Sequence, residues 1–270
     1  MRKSLRFRTK RKRVSFLRLK LFWYALGALF LLIFLFYIIV FSSFLKIEKI
    51  EIQGIREIPA EHILSALKNY LWQTFLGIPQ NSILLFDMKE AEEKLFFAFP
   101  VISSVTLKRS LPGTLVVKIQ EREQIGTWCP LEKRDEEIVC FAIDEKGIPF
   151  KIVEKEGEYV LFNSKGEAIL GKELLNPLLL LTLLDFKEES EKIGESFLFS
   201  IMVFVIGDKG EVQGVTKEGW QILLDIKEDM EWQETKLQIV LQQKIPLEKR
   251  GELEYIDLRF GDQAYIKYFD

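Results

Sequence analysis

Residues 100–122 read PVISSVTLKRSLPGTLVVKIQER. On both sides of Ser110-Leu111-Pro112-Gly113 the residues alternate between two faces, the period-2 pattern of half-buried strands. In the second run Leu115, Val117 and Ile119 share one face, while Lys118 and Gln120 lie on the other. Pro112 and Gly113 supply the turn between the runs. The pattern predicts two strands, over 101–109 and 114–121, joined by a tight reversal.

Working upstream, Pro100 stops a helical stretch, MKEAEEKLFFAF, for which Asp87 is a plausible N-cap. Before it, a short apolar piece covers 83–86. Pro59 opens another helix, PAEHILSALKNYL, with Ile63, Leu64, Leu67 and Leu71 at helical spacing. Residues 46–52 (KIEKIEI) alternate as a strand that Gly54 ends. The order is strand, helix, helix, strand, strand. Such a sheet buries its apolar side only if both helices lie on one face.

Further upstream, residues 1–20 carry ten Lys or Arg and no acid, and residues 21–41 carry no charge. At about 1.5 Å per residue that uncharged run reaches roughly 30 Å, the thickness of a bilayer's hydrocarbon core. A charge buried there is costly, so the gap in charge is meaningful. The reading is one transmembrane helix over 21–42 behind a basic arm over 1–20. By the positive-inside rule the arm is cytoplasmic and the chain beyond Ser42 lies outside. Trp23 and Tyr24 fall at the inner boundary, where amphipathic rings settle. A cleaved signal peptide has a shorter apolar stretch, and Ser42-Ser43-Phe44-Leu45 offers no A-x-A-like site.

Removing the arm's ten positive charges from the chain's 38 basic residues leaves 28 against 40 acids. That balance argues against nucleic-acid binding, which needs a basic face. His62 is the single histidine, and a lone surface histidine beside Glu61 is a poor catalyst. No nucleophile elbow, phosphate-cradling glycine loop or HExxH occurs. No enzyme, cofactor, metal or small-molecule substrate is expected; binding is what remains. Cys129 and Cys140 flank the polar loop PLEKRDEEIV. If 124–129 and 138–143 form a hairpin, the two can face each other as a disulfide, which an extracytoplasmic compartment permits. The other reading is two small buried hydrophobes.

Phe99-Pro100-Val101, then Arg109-Ser110-Leu111-Pro112-Gly113-Thr114-Leu115, then Glu121-Arg122 resembles the signature of the bacterial cell-division family FtsQ/DivIB. In that family a P-x-V strand leads to an R-x-x-P-x-T-L turn and a strand closing on E-R. Glu123 stands where the family usually has Pro. The resemblance implies a POTRA domain over 46–121 and an FtsQ-type β domain over 122–270. The expected fold class is α+β: an anchor helix, a β-α-α-β-β POTRA domain, and a mostly antiparallel β domain with flanking helices.

In the second half, strand signals cover 124–129, 138–143, 159–163, 197–206, 211–216 and 220–226, with turns at Gly147, Gly210 and Gly219. Asn176-Pro177 reads as N-cap and first residue of the helix LLLLTLLDFKEE, whose apolar stretch is too short to span a membrane. Another helix is expected over 231–244. The family's L-P-x-L-x-G element is reduced to Ile169-Leu170-Gly171. In the final pair of strands, over 253–260 and 264–269, Ile256, Leu258 and Phe260 share one face and Tyr255, Asp257 and Arg259 the other. Exposed aromatics with Arg mark interfaces; the plainer alternative is an ordinary amphipathic sheet face. The YIDLRF run is similar to the family's terminal strand, where FtsB or DivIC, a coiled-coil partner, docks by strand addition. The resemblance therefore implies partner-binding roles for Tyr255, Arg259, Tyr265 and Phe269. It also implies links to an FtsL-like protein and the septal peptidoglycan synthase, at the division septum of the cytoplasmic membrane. The alternative function is a POTRA accessory of envelope assembly or secretion, though such proteins carry several POTRA copies and a barrel.

Overall fold

The computed structural model describes residues 16–41, 45–71, 74–75, 78–79, 82–131, 138–155, 159–197 and 199–269. Most of the basic arm and the Ser42-Ser43-Phe44 stretch lie outside the described residues. The chain falls into two compact units. One comprises Met1–Gln53, Pro59–Glu92 and Thr106–Lys118, the other Gly54–Ile58, Glu93–Val105 and Ile119–Asp270.

The N-terminal helix α1 runs Phe16–Phe41. It begins inside the stretch expected to be arm, because nothing at 16–20 breaks a helix. Within it Lys20–Ile38 is long and apolar enough to cross a membrane. Beyond α1, strand β1 (Lys49–Gln53), helix α2 (Ala60–Leu71), helix α3 (Met88–Ala98) and strands β4 (Ile102–Ser110) and β5 (Thr114–Glu121) follow in the expected order. Between the helices lies a two-residue ladder, β2 (Thr74–Phe75) with β3 (Ile78–Pro79), too short to leave a pattern. Asp87 caps α3, its carboxylate accepting from Glu90 N–H at 3.1 Å.

The three-stranded sheet has the order β1-β5-β4, with β1 parallel to β5. Parallel pairing needs a long connection, here carrying both helices. Leu115 and Val117 are buried, as are Ile63, Leu67 and Tyr70 of α2. Leu64 and Leu71, read as core by spacing, are only half-buried.

The motif residues prove to be braces. Arg109 donates to the Phe86 carbonyl at 2.9 Å. Glu121 accepts from three successive backbone N–H groups, of Arg56, Glu57 and Ile58, at 2.9–3.0 Å. Burial alone would push the Glu121 carboxyl up, but those bonds outweigh it and hold it below the usual range. Gly54 has φ 89°, and a Cβ there would lie 2.1 Å from the Ile119 carbonyl oxygen, so only glycine fits. Arg122 is buried and forms an ion pair with buried Asp144 while donating to Pro100 O at 2.9 Å. Asp144 in turn accepts from Lys146 and Ile148 N–H, so the pair is hydrogen-bonded on both sides.

The larger sheet adds β6 (Gly126–Pro130), β7 (Cys140–Ile143), β8 (Pro149–Val153), β9 (Leu161–Ser164), β10 (Ile201–Ile206), β11 (Glu211–Thr216), β12 (Gln221–Asp225), β13 (Leu253–Phe260) and β14 (Gln263–Tyr268). Its nine strands run β14-β13-β12-β11-β10-β9-β6-β7-β8. Five neighbouring pairs are antiparallel; β6–β9, β9–β10 and β12–β13 are parallel. The last two need crossovers, filled by α4 (Pro177–Phe197) and α5 (Met230–Gln243). Leu180, Leu183 and Phe186 of α4 and Leu237 and Leu241 of α5 join one core with Trp128, Phe162, Phe204, Trp220 and Ile256. Each such side chain contributes roughly 1.5–3 kcal/mol by leaving water.

Several expectations shift. Phe197 ends α4 rather than starting a strand, since Lys187–Glu191 and Lys192–Glu188 pairs at i,i+4 carry the helix past its apolar face. Asn176 is its cap, accepting from Leu178 and Leu179 N–H. Strand β8 was not foreseen; Pro149 at its start is the position a strand tolerates. Cys129 and Cys140 are bonded to each other, Cα–Cα 4.4 Å apart.

Glu234 on α5 sits in the field of Glu189, Glu231, Asp185 and Asp229; burial first, then these charges, push its carboxyl up to about 7. In the unfolded chain a glutamate titrates at about 4.3. The folded state thus holds a proton the unfolded state has released. The stability this contributes is complete below the unfolded value and lost as pH rises through about 7. Thermal unfolding of Glu234→Gln should lose less stability than wild type between about pH 5 and about pH 8. Parallel melting-point curves for the two proteins would refute the assignment.

Candidate protein-interaction edge

Strand β14 ends the nine-stranded sheet and, among the described residues, has a strand on one side only. An edge of this kind offers backbone N–H and C=O groups to an incoming strand. It pairs with β13 through Leu253↔Tyr268, Tyr255↔Lys267, Ile256↔Ile266, Asp257↔Tyr265 and Phe260↔Gln263, with register shifts after Leu253 and after Asp257. Ala264, Ile266 and Tyr268 are partly buried against the core.

The second shift corrects the alternation read from sequence. Ile256 and Leu258 are fully buried, but Phe260 is turned out and 52% exposed. It meets Tyr265 edge-to-face, ring centroids 5.3 Å apart. Tyr265 is 51% and Phe269 61% exposed. Across the ladder the Lys267 ammonium lies 5.8 Å from the centre of the Tyr255 ring and pairs with Glu254 at 2.7 Å. The structure therefore brings Tyr255, Tyr265 and Phe269 to this hairpin with Phe260 added.

Arg259 is placed differently from the expectation. Its guanidinium donates to both carboxylate oxygens of Asp257, at 2.8 and 2.6 Å, and its backbone N–H donates to Asp257 at 3.1 Å. Those bonds favour its charged form, raising its pKa. Asp257 is buried, so Arg259 first neutralises a buried carboxylate and only its outer surface, 5.8 Å from the Phe260 ring centre, is offered outward.

Sequence reasoning missed the residues that hold the hairpin. Lys236 on α5 is buried and donates to the carbonyls of Leu258 and Gly261, the latter at 2.7 Å. Burial lowers its pKa. One turn earlier, Trp232 Nε1–H donates to the same Gly261 carbonyl at 3.2 Å. Gln233 beside them bridges to the backbone of Asp225 in β12. Asp229 sets the start of α5, capping Trp232 N–H at 3.2 Å. The i,i+4 spacing of Trp232 and Lys236 was the available signal, but a Lys amid Glu and Gln reads as a solvated face. Among the described residues no group of three or more His, Cys, Asp or Glu side chains could hold a metal ion.

Residues 45–122 match the family model described as POTRA domain, FtsQ-type. This segment is an FtsQ-type POTRA domain. The matched stretch contains β1, α2, α3, β4 and β5 with the braces Arg109, Glu121 and Arg122. Domains of this type are non-catalytic and bind other proteins. Behind an apolar helix, the match supports a division-related POTRA protein. No curated protein matches the chain.

Replacing Lys236 by Met removes the side-chain donor to the Leu258 carbonyl and one of two donors to the Gly261 carbonyl, while keeping the stem's bulk. Leaving a buried acceptor short of its donor costs about 1–3 kcal/mol. Amide exchange over 253–268 should speed up by roughly fivefold to 150-fold, ahead of β9–β11. Unchanged exchange there would mean that pairing with β12 alone fixes the hairpin.

Proposed function

We propose that this chain is a membrane-anchored scaffold of the bacterial division machinery. The observation that carries the reading is the FtsQ-type POTRA domain at 45–122, directly behind an apolar helix that can span a bilayer. The helix holds the protein in the cytoplasmic membrane, with the basic arm inside and the 229 residues beyond α1 outside. The POTRA domain ends at Glu121 and the β domain takes the remainder. Its task is assembly by binding: tethering confines it to the membrane plane and raises the effective concentration of its partners.

The β14 edge is the docking site for an FtsB/DivIC-like coiled-coil protein, which an FtsL-like protein joins, and through them for the septal peptidoglycan synthase. Strand addition supplies backbone hydrogen bonds, and Tyr255, Tyr265 and Phe269 supply the side-chain contacts. The exposed aromatic surface along an edge strand supports this reading.

Alanine at Tyr265 or Phe269 should weaken partner binding by roughly 5- to 30-fold each, about 1–2 kcal/mol, with the fold intact. Arg259→Ala should differ, lowering stability because it strands buried Asp257. Equal partner affinity of wild type and Tyr265→Ala/Phe269→Ala, measured by titration calorimetry, would move the docking site elsewhere.

In dividing cells, a fluorescent fusion on the cytoplasmic arm should form a midcell band, and deletion of β14 should stop the downstream synthase from joining it. Uniform membrane signal throughout the cycle would sink the division role and favour an envelope-assembly or secretion accessory.

A further inference from the structure

Among the described residues the first strand of the POTRA domain, β1, has a strand of its sheet on one side only, and α2 lies beside it. Leu64, Lys68 and Leu71 recur at i, i+4 and i+7 along one face of α2. With residues 46–50 they line a cavity of about 570 Å³, a volume in the range of small-ligand sites. Its floor is apolar: Ile47, Ile50, Leu64 and Leu71, all half-buried. These are the leucines that helical spacing assigned to the core and that the core does not use.

The rim carries the opposite chemistry. Lys46, Lys49 and Lys68 line it against a single acid, Glu48. Lys49 lies 2.6 Å from Glu51, but both side chains are well exposed. Exposed pairs of that kind hold weakly in water and exchange readily for a better anion. Long lysine stems can lie on the apolar floor while their ammonium groups turn outward. The combination suits a molecule with an anionic head and a hydrocarbon tail.

The chain itself delivers the groove to such molecules. α1 ends at Phe41, and Lys46 follows five residues later. Five residues reach at most about 18 Å. The headgroup layer on each side of a bilayer is itself roughly 5–8 Å deep. Once α1 spans the membrane, the rim lysines cannot move far from the lipid surface.

We propose that the groove between β1 and α2 binds the headgroup of an anionic phospholipid in the bilayer that carries the chain's own anchor. This rests only on the anchor reading of α1, not on the division partners. Lys46 and Lys68 contact the phosphate, Lys49 exchanges Glu51 for it, and the apolar floor takes the first methylenes of an acyl chain. Binding there ties down the membrane-proximal edge of the POTRA domain.

The test uses the full chain in nanodiscs of phosphatidylcholine alone or mixed with phosphatidylglycerol. Hydrogen exchange over 46–53 and 60–71 should slow by about tenfold in the phosphatidylglycerol discs, while 253–268 exchanges alike in both. Lys46→Gln/Lys68→Gln, which leaves the Lys49–Glu51 pair intact, should erase the difference, as should high salt. Equal exchange in the two disc types overturns the lipid site and leaves the anchor standing. Protection produced by an added extended peptide but not by phosphatidylglycerol overturns it in favour of strand addition at β1. Failure of the chain to enter discs overturns the anchor reading and this proposal with it.

Discussion

Parallel pairing of β12 with β13 is the constraint on which the exposed edge depends. Two antiparallel neighbours can be joined by a tight turn, but a parallel pair forces the chain to return to the same end of the sheet. Here α5 makes that return. The helix does more than bridge a distance. Leu237 and Leu241 anchor it in the core, while Trp232 and Lys236 reach the far turn at Gly261. The same helix that makes β13 possible also holds the turn into β14. The β9–β10 crossover repeats the arrangement with α4, so both helices serve one core.

Much of this was legible in sequence, for identifiable reasons. Leu115, Val117 and Ile119 fall on one face of residues 114–121, and β5 occupies that span residue for residue. Asn176-Pro177 and Asp87 announced helix starts because a short side-chain oxygen at that position has one obvious use. The shape of the exposed hairpin was harder to read. Strict alternation assigned Phe260 to the core, whereas the irregular register after Asp257 turns it outward. A bulge of that kind is a pairing property of two strands and leaves no mark on either alone. Lys236 escaped for the related reason that burial of a cation depends on which carbonyls lie above it.

The Glu121-Arg122 pair illustrates how a motif can be informative without touching a ligand. Glu121 gathers three backbone donors that no strand or helix satisfies. Arg122 places a full charge where water is excluded and depends on Asp144 and the Pro100 carbonyl to keep it there. Replacing one partner would leave the other as an isolated buried charge, a far larger penalty than the pair's net contribution. Such residues report on architecture, and the ones proposed to meet a partner are the less distinctive aromatics of an outer strand.

The link between Cys129 and Cys140 also changes what damage to the loop between them means. The bond joins neighbouring strands β6 and β7 and closes a covalent ring around residues 130–139. A protease cutting once inside that ring would open it without releasing either fragment. The protein would run as two pieces only after reduction, and the sheet on both sides of the nick would keep its covalent continuity.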